Sequence, residues 1–128
     1  YLEWYIDGTF DISPKLFKQL FTFQIVVNGF NLPLVYCLLP NKKAETYKRM
    51  FDMLAGHLDA RLIKSRITWR CDFELGIWGG IEESRLGIRN TKIEACYFHL
   101  SSNLWKHVQQ GALCQHFKAD SKFKKCFR

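Results

Sequence analysis

Two aspartates, Asp7 and Asp72, each lie at the end of a run in which apolar and polar side chains alternate. The first run is Leu2–Ile6 and the second is Ile67–Cys71, and this period of two predicts a pair of β-strands. A carboxylate at the end of a buried strand costs several kcal/mol unless it is paired, bound to a metal ion or solvated. Two interpretations of Asp7 therefore stay open: a solvated carboxylate in an Asp-Gly turn with Gly8, or a ligand of a cation.

The segment after the first aspartate predicts a meander of three strands. A β-branched and aromatic run at Leu20–Val27 leads into Asn28-Gly29, a strong hairpin signal, and Leu32–Leu39 is the expected returning strand. Pro33 cannot donate a hydrogen bond to a neighbouring strand, so we expect the returning strand at a sheet edge. Gly8 is expected to end the first strand.

An amphipathic helix is predicted after the meander, with Asn41 as its N-cap. Apolar side chains recur there with helical spacing, at Tyr47, Met50, Phe51, Leu54 and Leu58. A right-handed crossover through this helix would lay the strand before Asp72 parallel to an earlier strand. If that neighbour is the first strand, Asp7 and Asp72 end side by side at one sheet edge and can share a divalent cation.

The remaining residues predict alternating helices and strands. Residues 75–87 should be helical by position, but each glycine inside this segment costs about 1 kcal/mol relative to alanine, so we expect a weak or broken helix. Lys92–His99 is predicted to be a strand, and Ser101 or Ser102 is expected to cap a last helix that runs through Val108. The order β-β-β-α-β-α-β-α predicts an α/β fold with a mixed sheet covered by helices.

The composition favours one folded domain with a polyanionic or acidic partner. At 48% hydrophobic and 16% aromatic residues the chain can bury a core, and it has no uncharged apolar stretch of about 18 residues that would span a membrane. The net charge is +7, with basic residues bunched at the C-terminus, which favours contact with phosphate backbones. The odd count of five cysteines favours reduced thiols inside the cell. Because the chain begins without methionine, we expect a fragment or an excised domain.

Three motifs in order resemble the MULE transposase domain of Mutator-like elements. They are "DGTF" from Asp7, "LLPNK" with "ETY" from Leu38, and "CDFE" followed by "CYFH" from Cys71. The resemblance covers essentially the whole chain and implies a ribonuclease-H-like fold. In that fold the first and fourth strands are adjacent and carry the first two acids of a catalytic DDE triad, and Asp7 and Asp72 match those two positions.

The resemblance also implies metal-dependent DNA chemistry in the nucleus. Asp7 and Asp72 would be catalytic, metal-binding acids, and two Mg²⁺ or Mn²⁺ ions at low occupancy would be the cofactors, since both are hard cations that prefer oxygen ligands. The family's reaction cleaves DNA at transposon ends and joins the freed 3′-hydroxyl to target DNA. No membrane partner is expected, and a homo-oligomer is compatible with the full-length protein.

The family's third acid, a glutamate, follows the C-x-x-H motif after a helical insertion, and no residue before Arg128 matches it. Asp120 lies too close to that motif to take its place. We therefore expect residues 1–128 to be a partial DDE catalytic core that is incomplete at its C-terminus and inactive in isolation. The alternative is a domesticated, non-catalytic DNA-binding or regulatory module that keeps the fold.

Cys96 and His99 match the family's C-x-x-H signature, which implies a role beside the acid triad. With Cys114 and His116 they would make four zinc ligands, but the single residue between the second pair is unusual for a zinc knuckle, so zinc is not expected. A buried thiol and a structural histidine are the alternative interpretation of this pair.

Trp105 and Lys106 are candidate DNA contacts, because aromatic side chains stack on unpaired bases. Trp105 also lies on the apolar stripe of its predicted helix, so packing into a core is favoured as its alternative role. Glu74 follows Asp72 into a helix start, where an acid stabilises the helix dipole, and we assign it a structural role.

Overall fold

Within residues 2–87 and 91–110, which the computed structural model describes, the chain forms five strands and four helices. In chain order these are β1 (Leu2–Thr9), β2 (Gln19–Val27), β3 (Phe30–Leu39), α1 (Ala44–His57), α2 (Ala60–Lys64), β4 (Ile67–Cys71), α3 (Leu75–Glu83), β5 (Thr91–Ala95) and α4 (Tyr97–Gln110). The chain divides into two compact units between Glu94 and Ala95. The first unit contains the helices α1 to α3 and the sheet as far as Glu94, and the second contains α4.

The strands form one open mixed sheet in the order β3-β2-β1-β4-β5. β1 and β2 are antiparallel, as are β2 and β3, whereas β1 and β4 are parallel. The predicted α/β fold with a mixed sheet flanked by helices is therefore confirmed, as is the edge position of the strand that contains Pro33. Within the described ranges, no helix is long and apolar enough to cross a membrane.

The hairpin between β2 and β3 turns at the predicted Asn-Gly pair. Asn28 has φ 52° and Gly29 has φ 82°, so two successive residues are left-handed. A two-residue turn of this hand matches the right-handed twist of the flanking strands. This turn lies at one end of the sheet, and β1 and β4 finish at the other end.

The core of the first unit lies between the sheet and α1. The predicted apolar stripe of α1 is buried at Tyr47, Met50, Phe51 and Leu54. The Phe51 ring lies 5.7 Å from the ring of Phe23 and 5.3 Å from that of Trp69, in edge-to-face arrangements. Aromatic pairs in this geometry contribute about 0.5–1.5 kcal/mol each beyond their buried area, so they help to fix α1 on the sheet.

The prediction that Gly8 ends the first strand is wrong. β1 continues to Thr9, and Gly8 pairs with Phe21 of β2. A Cβ atom at Gly8 would lie 2.3 Å from Oε1 of Gln19, so the glycine provides room for a buried side chain. The Asp-Gly pair is therefore part of the strand, and its glycine is explained by close packing.

The prediction that Asn41 caps the first helix is also wrong. α1 begins at Ala44, and Lys43 holds the N-cap position without a side-chain capping bond. Asn41 instead accepts two hydrogen bonds through Oδ1, from the backbone nitrogen of Lys43 at 3.0 Å and from Oγ1 of Thr46 at 2.7 Å. The asparagine therefore orders the connection that precedes the helix.

The helix after β4 is continuous from Leu75 to Glu83, which corrects the prediction of a weak or broken helix. Its glycines face α1. A Cβ at Gly76 would lie 2.7 Å from the carbonyl oxygen of Lys42, and one at Gly80 would lie 2.4 Å from Cβ of Tyr47. The close approach of two helices thus offsets the low helix propensity of glycine.

The predicted strand Lys92–His99 is correct only in its first half. β5 ends at Ala95 and α4 begins at Tyr97, so Cys96 joins the two elements and does not lie within a strand. Ser101 lies inside α4 and donates a hydrogen bond to the carbonyl oxygen of Phe98 at 2.9 Å, so neither serine caps the helix. Short apolar runs fit a strand and a helix equally well, which explains the misplaced boundary.

Gly80→Ala should destabilise the fold, because the added methyl group would collide with the backbone and Cβ of Tyr47. Overpacking of this kind lowers the free energy of unfolding by about 1–3 kcal/mol. Gly56→Ala is the matched control, since Gly56 lies in α1 where an added Cβ would meet nothing within 4 Å. Urea unfolding should show a gain of about 0.4–1 kcal/mol for the control. A gain for both variants would contradict the packing role of Gly80.

Candidate functional site

The parallel pairing of β1 with β4 brings the two predicted aspartates to the same end of the sheet, the end at which both strands finish. Trp4 pairs with Trp69 and Tyr5 pairs with Arg70. Continuing this register by two residues puts Asp7 level with Asp72, on strands whose axes lie about 4.8 Å apart. Level residues of neighbouring strands project from the same face of a sheet, so a register continued past the end of β4 would put both carboxylates on the face that carries Tyr5 and Arg70. The predicted adjacency of the first and fourth strands is confirmed.

The backbone around Asp72 is held by the start of α3. The backbone nitrogen of Phe73 donates to Oδ1 of Asp72 at 2.6 Å, and Nε1 of Trp78 donates to the carbonyl oxygen of Asp72 at 3.1 Å. The rings of Phe73 and Trp78 lie 5.9 Å apart. Asp72 is half-buried, as is Asp7 in β1. These contacts fix the position of the Asp72 carboxylate relative to the end of β4.

A buried polar chain connects the neighbourhoods of the two aspartates. Gln19, which packs against Gly8, donates through Nε2 to the hydroxyl of Tyr47 at 2.8 Å. That hydroxyl donates to Oε1 of Glu74 at 2.8 Å. Burial raises the pKa of Tyr47, so the phenol stays protonated and remains a donor. Gly8, which follows Asp7, is thereby connected to Glu74, which lies two positions after Asp72.

No local pattern of residues predicts this chain of hydrogen bonds. The prediction that Tyr47 belongs to the apolar stripe of α1 is correct for its ring. That prediction says nothing about the hydroxyl group. Gln19 is the first residue of β2, and its burial depends on Gly8 across the sheet. Glu74 has the structural role predicted for it: it holds the N-cap position of α3 and also pairs with Lys42 at 3.3 Å.

An ion-pair network crosses the same face of the sheet, one row from the aspartates. Arg70 on β4 binds Glu3 on β1 through Nε and Glu94 on β5 through Nη1, the latter at 2.7 Å. Tyr5 also donates to Glu3, at 2.9 Å. The hydrogen bond from Arg70 lowers the pKa of Glu3, with a further contribution from Tyr5. The network therefore ties together the three strands that surround the candidate site.

Asp7 and Asp72 are the kind of ligands that a hard divalent cation takes when a substrate phosphate also binds to the cation. Among residues 2–87 and 91–110, no group of three or more histidine, cysteine, aspartate or glutamate side chains is placed to bind a metal ion. If Asp7 and Asp72 held an ion together, they would supply two carboxylates to it. Mg²⁺ is usually bound by one or two carboxylates, with water and substrate phosphates as the other ligands. The donor set fits that mode of binding.

The other predicted site residues belong to the second unit. Cys96 and His99 are half-buried, at the connection before α4 and in its first turn. Trp105 is half-buried and Lys106 is exposed, both on α4. Their predicted roles, beside the triad for the first pair and in DNA contact for the second, stay predictions. Cys114 and His116, the other members of the unfavoured zinc set, lie outside the described residues.

No protein-family model, curated protein or solved structure matches this chain. What the strand order and packing establish is the class of fold, an α/β protein with a five-stranded, open, mixed sheet. The function must therefore be argued from the site, which consists of Asp7, Asp72 and the side chains that surround them.

Tyr47→Phe should lower the free energy of unfolding by about 1–3 kcal/mol, because it removes the hydroxyl that accepts from the buried Gln19 amide and donates to the Glu74 carboxylate. Gln19 then keeps only its 3.3 Å bond to the carbonyl oxygen of Asn41, and Glu74 keeps only its ion pair with Lys42. Tyr36→Phe is the matched control, since Tyr36 is exposed on β3. Chemical denaturation should show a change within about 0.5 kcal/mol for the control. Equal stabilities of the two variants would show that the polar chain contributes nothing.

Arg70→Gln should weaken the dependence of stability on acid pH. Because the pKa of Glu3 is lowered in the fold, its contribution is complete above the pKa of an unfolded glutamate and is lost as pH falls through the lower folded value. The pair is partly exposed, so the contribution is at most about 1 kcal/mol. Unfolding free energies from pH 6 downward should fall less steeply in the variant.

Arg61→Gln serves as the comparison for Arg70→Gln, because Arg61 pairs with Asp59 while its own side chain is 91% exposed. We expect a smaller change in the acid slope for this variant. An identical change in both variants would mean that the position of Arg70 between three strands has no special effect.

Proposed function

We propose that this chain is the catalytic-core portion of a Mutator-like DNA transposase with a ribonuclease-H-like fold. Its activity would be metal-dependent cleavage of DNA strands and their transfer to a target. The main support is the parallel pairing of β1 with β4, whose register, if continued two residues past Tyr5 and Arg70, would bring Asp7 level with Asp72. The order of the motifs, from "DGTF" to "CYFH", supports the same family.

In this proposal Asp7 and Asp72 would hold Mg²⁺ or Mn²⁺, and such an ion would supply activation of the attacking oxygen and stabilisation of the leaving oxygen at phosphorus. The aspartates would supply charged oxygen ligands from one strand and from the residue after its neighbour. Two carboxylates brought together there would repel each other, and a bound cation would offset that cost. The hydrogen bond from the Phe73 backbone nitrogen orients the Asp72 carboxylate before a metal or a substrate arrives.

The strand order gives further support. β1 lies in the middle of the sheet, with antiparallel β2 on one side and parallel β4 on the other. The family's fold requires the first and fourth strands to be neighbours. A nuclear location, DNA as the partner and a homo-oligomer of the full-length protein belong to the same proposal.

A second candidate is a domesticated DNA-binding or regulatory module that keeps the fold without catalysis. The observation that favours it is the size of the donor set: within the described ranges no third acidic, histidine or cysteine side chain joins Asp7 and Asp72. Both candidates share DNA as the partner, and they differ in whether a phosphodiester bond is broken.

Asp7→Ala and Asp72→Ala should each abolish the stabilisation of the protein by Mn²⁺, because each removes half of the donor set. When Mn²⁺ is present at ten times its dissociation constant, the wild type should gain about 1.4 kcal/mol. Thermal unfolding with and without Mn²⁺ measures this gain. Asp11→Ala is the matched control, since Asp11 is an exposed aspartate in the connection after β1 and should leave the gain intact.

An unchanged Mn²⁺ effect in Asp7→Ala would refute the shared site. Incubation of the full-length protein with supercoiled plasmid and Mn²⁺ then separates the two candidates, since residues 1–128 are expected to be inactive in isolation. Nicking that is lost in both aspartate variants supports the transposase core, whereas Mn²⁺ binding without nicking supports the non-catalytic module.

A further inference from the structure

Three connecting segments meet at the end of the sheet where Asp7 and Asp72 lie. β1, β3 and β4 run in one direction and β2 in the other, so residues 10–18, 40–43 and 72–74 all lie at this end. Contacts between the segments confirm the arrangement. The backbone nitrogen of Lys18 donates to the carbonyl oxygen of Leu39 at 2.8 Å, and Nζ of Lys42 pairs with Glu74 at 3.3 Å.

Aromatic side chains are exposed on two of these segments. Phe10 directly follows β1 and is 40% exposed, and Phe73 directly follows Asp72 and is 43% exposed. Both rings are held in place, Phe10 beneath the Lys42 ammonium at 3.9 Å and Phe73 beside Trp78. Exposed rings that are fixed in this way lose little conformational entropy when a flat ligand stacks on them.

The charges around the two rings are balanced. Residues 7–18, 40–43 and 72–74 contain four lysines and four acids, namely Lys15, Lys18, Lys42, Lys43, Asp7, Asp11, Asp72 and Glu74. All four lysines are exposed, and one of them, Lys42, is engaged by Glu74 and the Phe10 ring. With no local excess of positive charge, binding to a phosphate backbone alone is weak here, and stacking must supply much of the affinity.

We infer that this end of the sheet binds unpaired nucleotides of DNA, with bases stacked on Phe10 and Phe73 and phosphates beside Lys15, Lys18 and Lys43. We call it the Phe10–Phe73 surface. In duplex DNA the base faces are covered by stacked neighbours, whereas a single strand offers them to aromatic side chains. The inference rests on the proposed function for its choice of DNA. It adds that the DNA strand beside the carboxylates is unpaired.

The test measures binding of a fluorescein-labelled oligothymidylate, alone and as a duplex with oligodeoxyadenylate, by fluorescence anisotropy in EDTA. The single strand should bind more tightly than the duplex. Phe10→Ala and Phe73→Ala should each weaken single-strand binding about 5- to 150-fold, the effect of losing one stacked base. Phe10→Tyr and Phe73→Tyr should retain binding, because tyrosine keeps the stacking face.

Phe30→Ala is the matched control, because Phe30 is 72% exposed but begins β3 at the opposite end of the sheet. It should bind the single strand as the wild type does. Absence of single-strand binding, tighter binding of the duplex, or an equal loss in Phe30→Ala would each overturn the inference. Self-association of the wild type that Phe10→Ala abolishes, in the absence of DNA binding, would overturn it in favour of a protein-contact surface.

The outcomes for this surface and for the proposed function are distinguishable because the DNA measurement excludes metal ions. Loss of the Mn²⁺ effect in Asp7→Ala together with unaltered DNA binding in both phenylalanine variants would refute the stacking surface and leave the metal site standing. Stacking without any Mn²⁺ effect would support the surface and refute the metal-dependent reaction.

Discussion

The parallel contact between β1 and β4 is the constraint on which the candidate site depends. It joins segments more than sixty residues apart in the chain, and both faces of the sheet stabilise it. On the core face, Trp4 and Trp69 are paired in register and stack with their ring centroids 6.0 Å apart, beneath Phe51 of α1. On the opposite face Glu3 and Arg70 form an ion pair. A shift of one residue in this register would bury one of the polar partners and separate the aspartates.

Glycines allow the chain to close around this contact. Gly8 leaves room for the Gln19 amide, and Gly76 and Gly80 let α3 approach the start of α1. With these approaches the hydroxyl of Tyr47 reaches both Gln19 and Glu74. The two ends of the site are therefore connected through the interior by packing and hydrogen bonds.

Alternation and helical spacing were sufficient to predict β1 to β4, the hairpin and the buried face of α1, because those patterns follow from which side of an element is buried. The same patterns could place Asp7 beside Asp72 only on the condition that β1 and β4 pair. The predictions for Gly8 and for the glycines of α3 were wrong because local propensity treats glycine as a break. Here each of these glycines makes room for a residue that is distant in sequence. Gln19 and the Tyr47 hydroxyl gave no local signal, since their role exists only after the strands and helices have packed.

The distribution of charge changes how the basic composition should be understood. The chain carries a net charge of +7, yet lysines and acids balance at the edge where Asp7 and Asp72 lie. A cation bound by the aspartates would make this edge positive, so cation binding and DNA binding would strengthen each other. Such coupling is reciprocal, because a phosphate beside the carboxylates completes the ligand set of the cation. Under the proposed function, a pair of carboxylates that binds a metal ion weakly alone would acquire its ions together with its substrate.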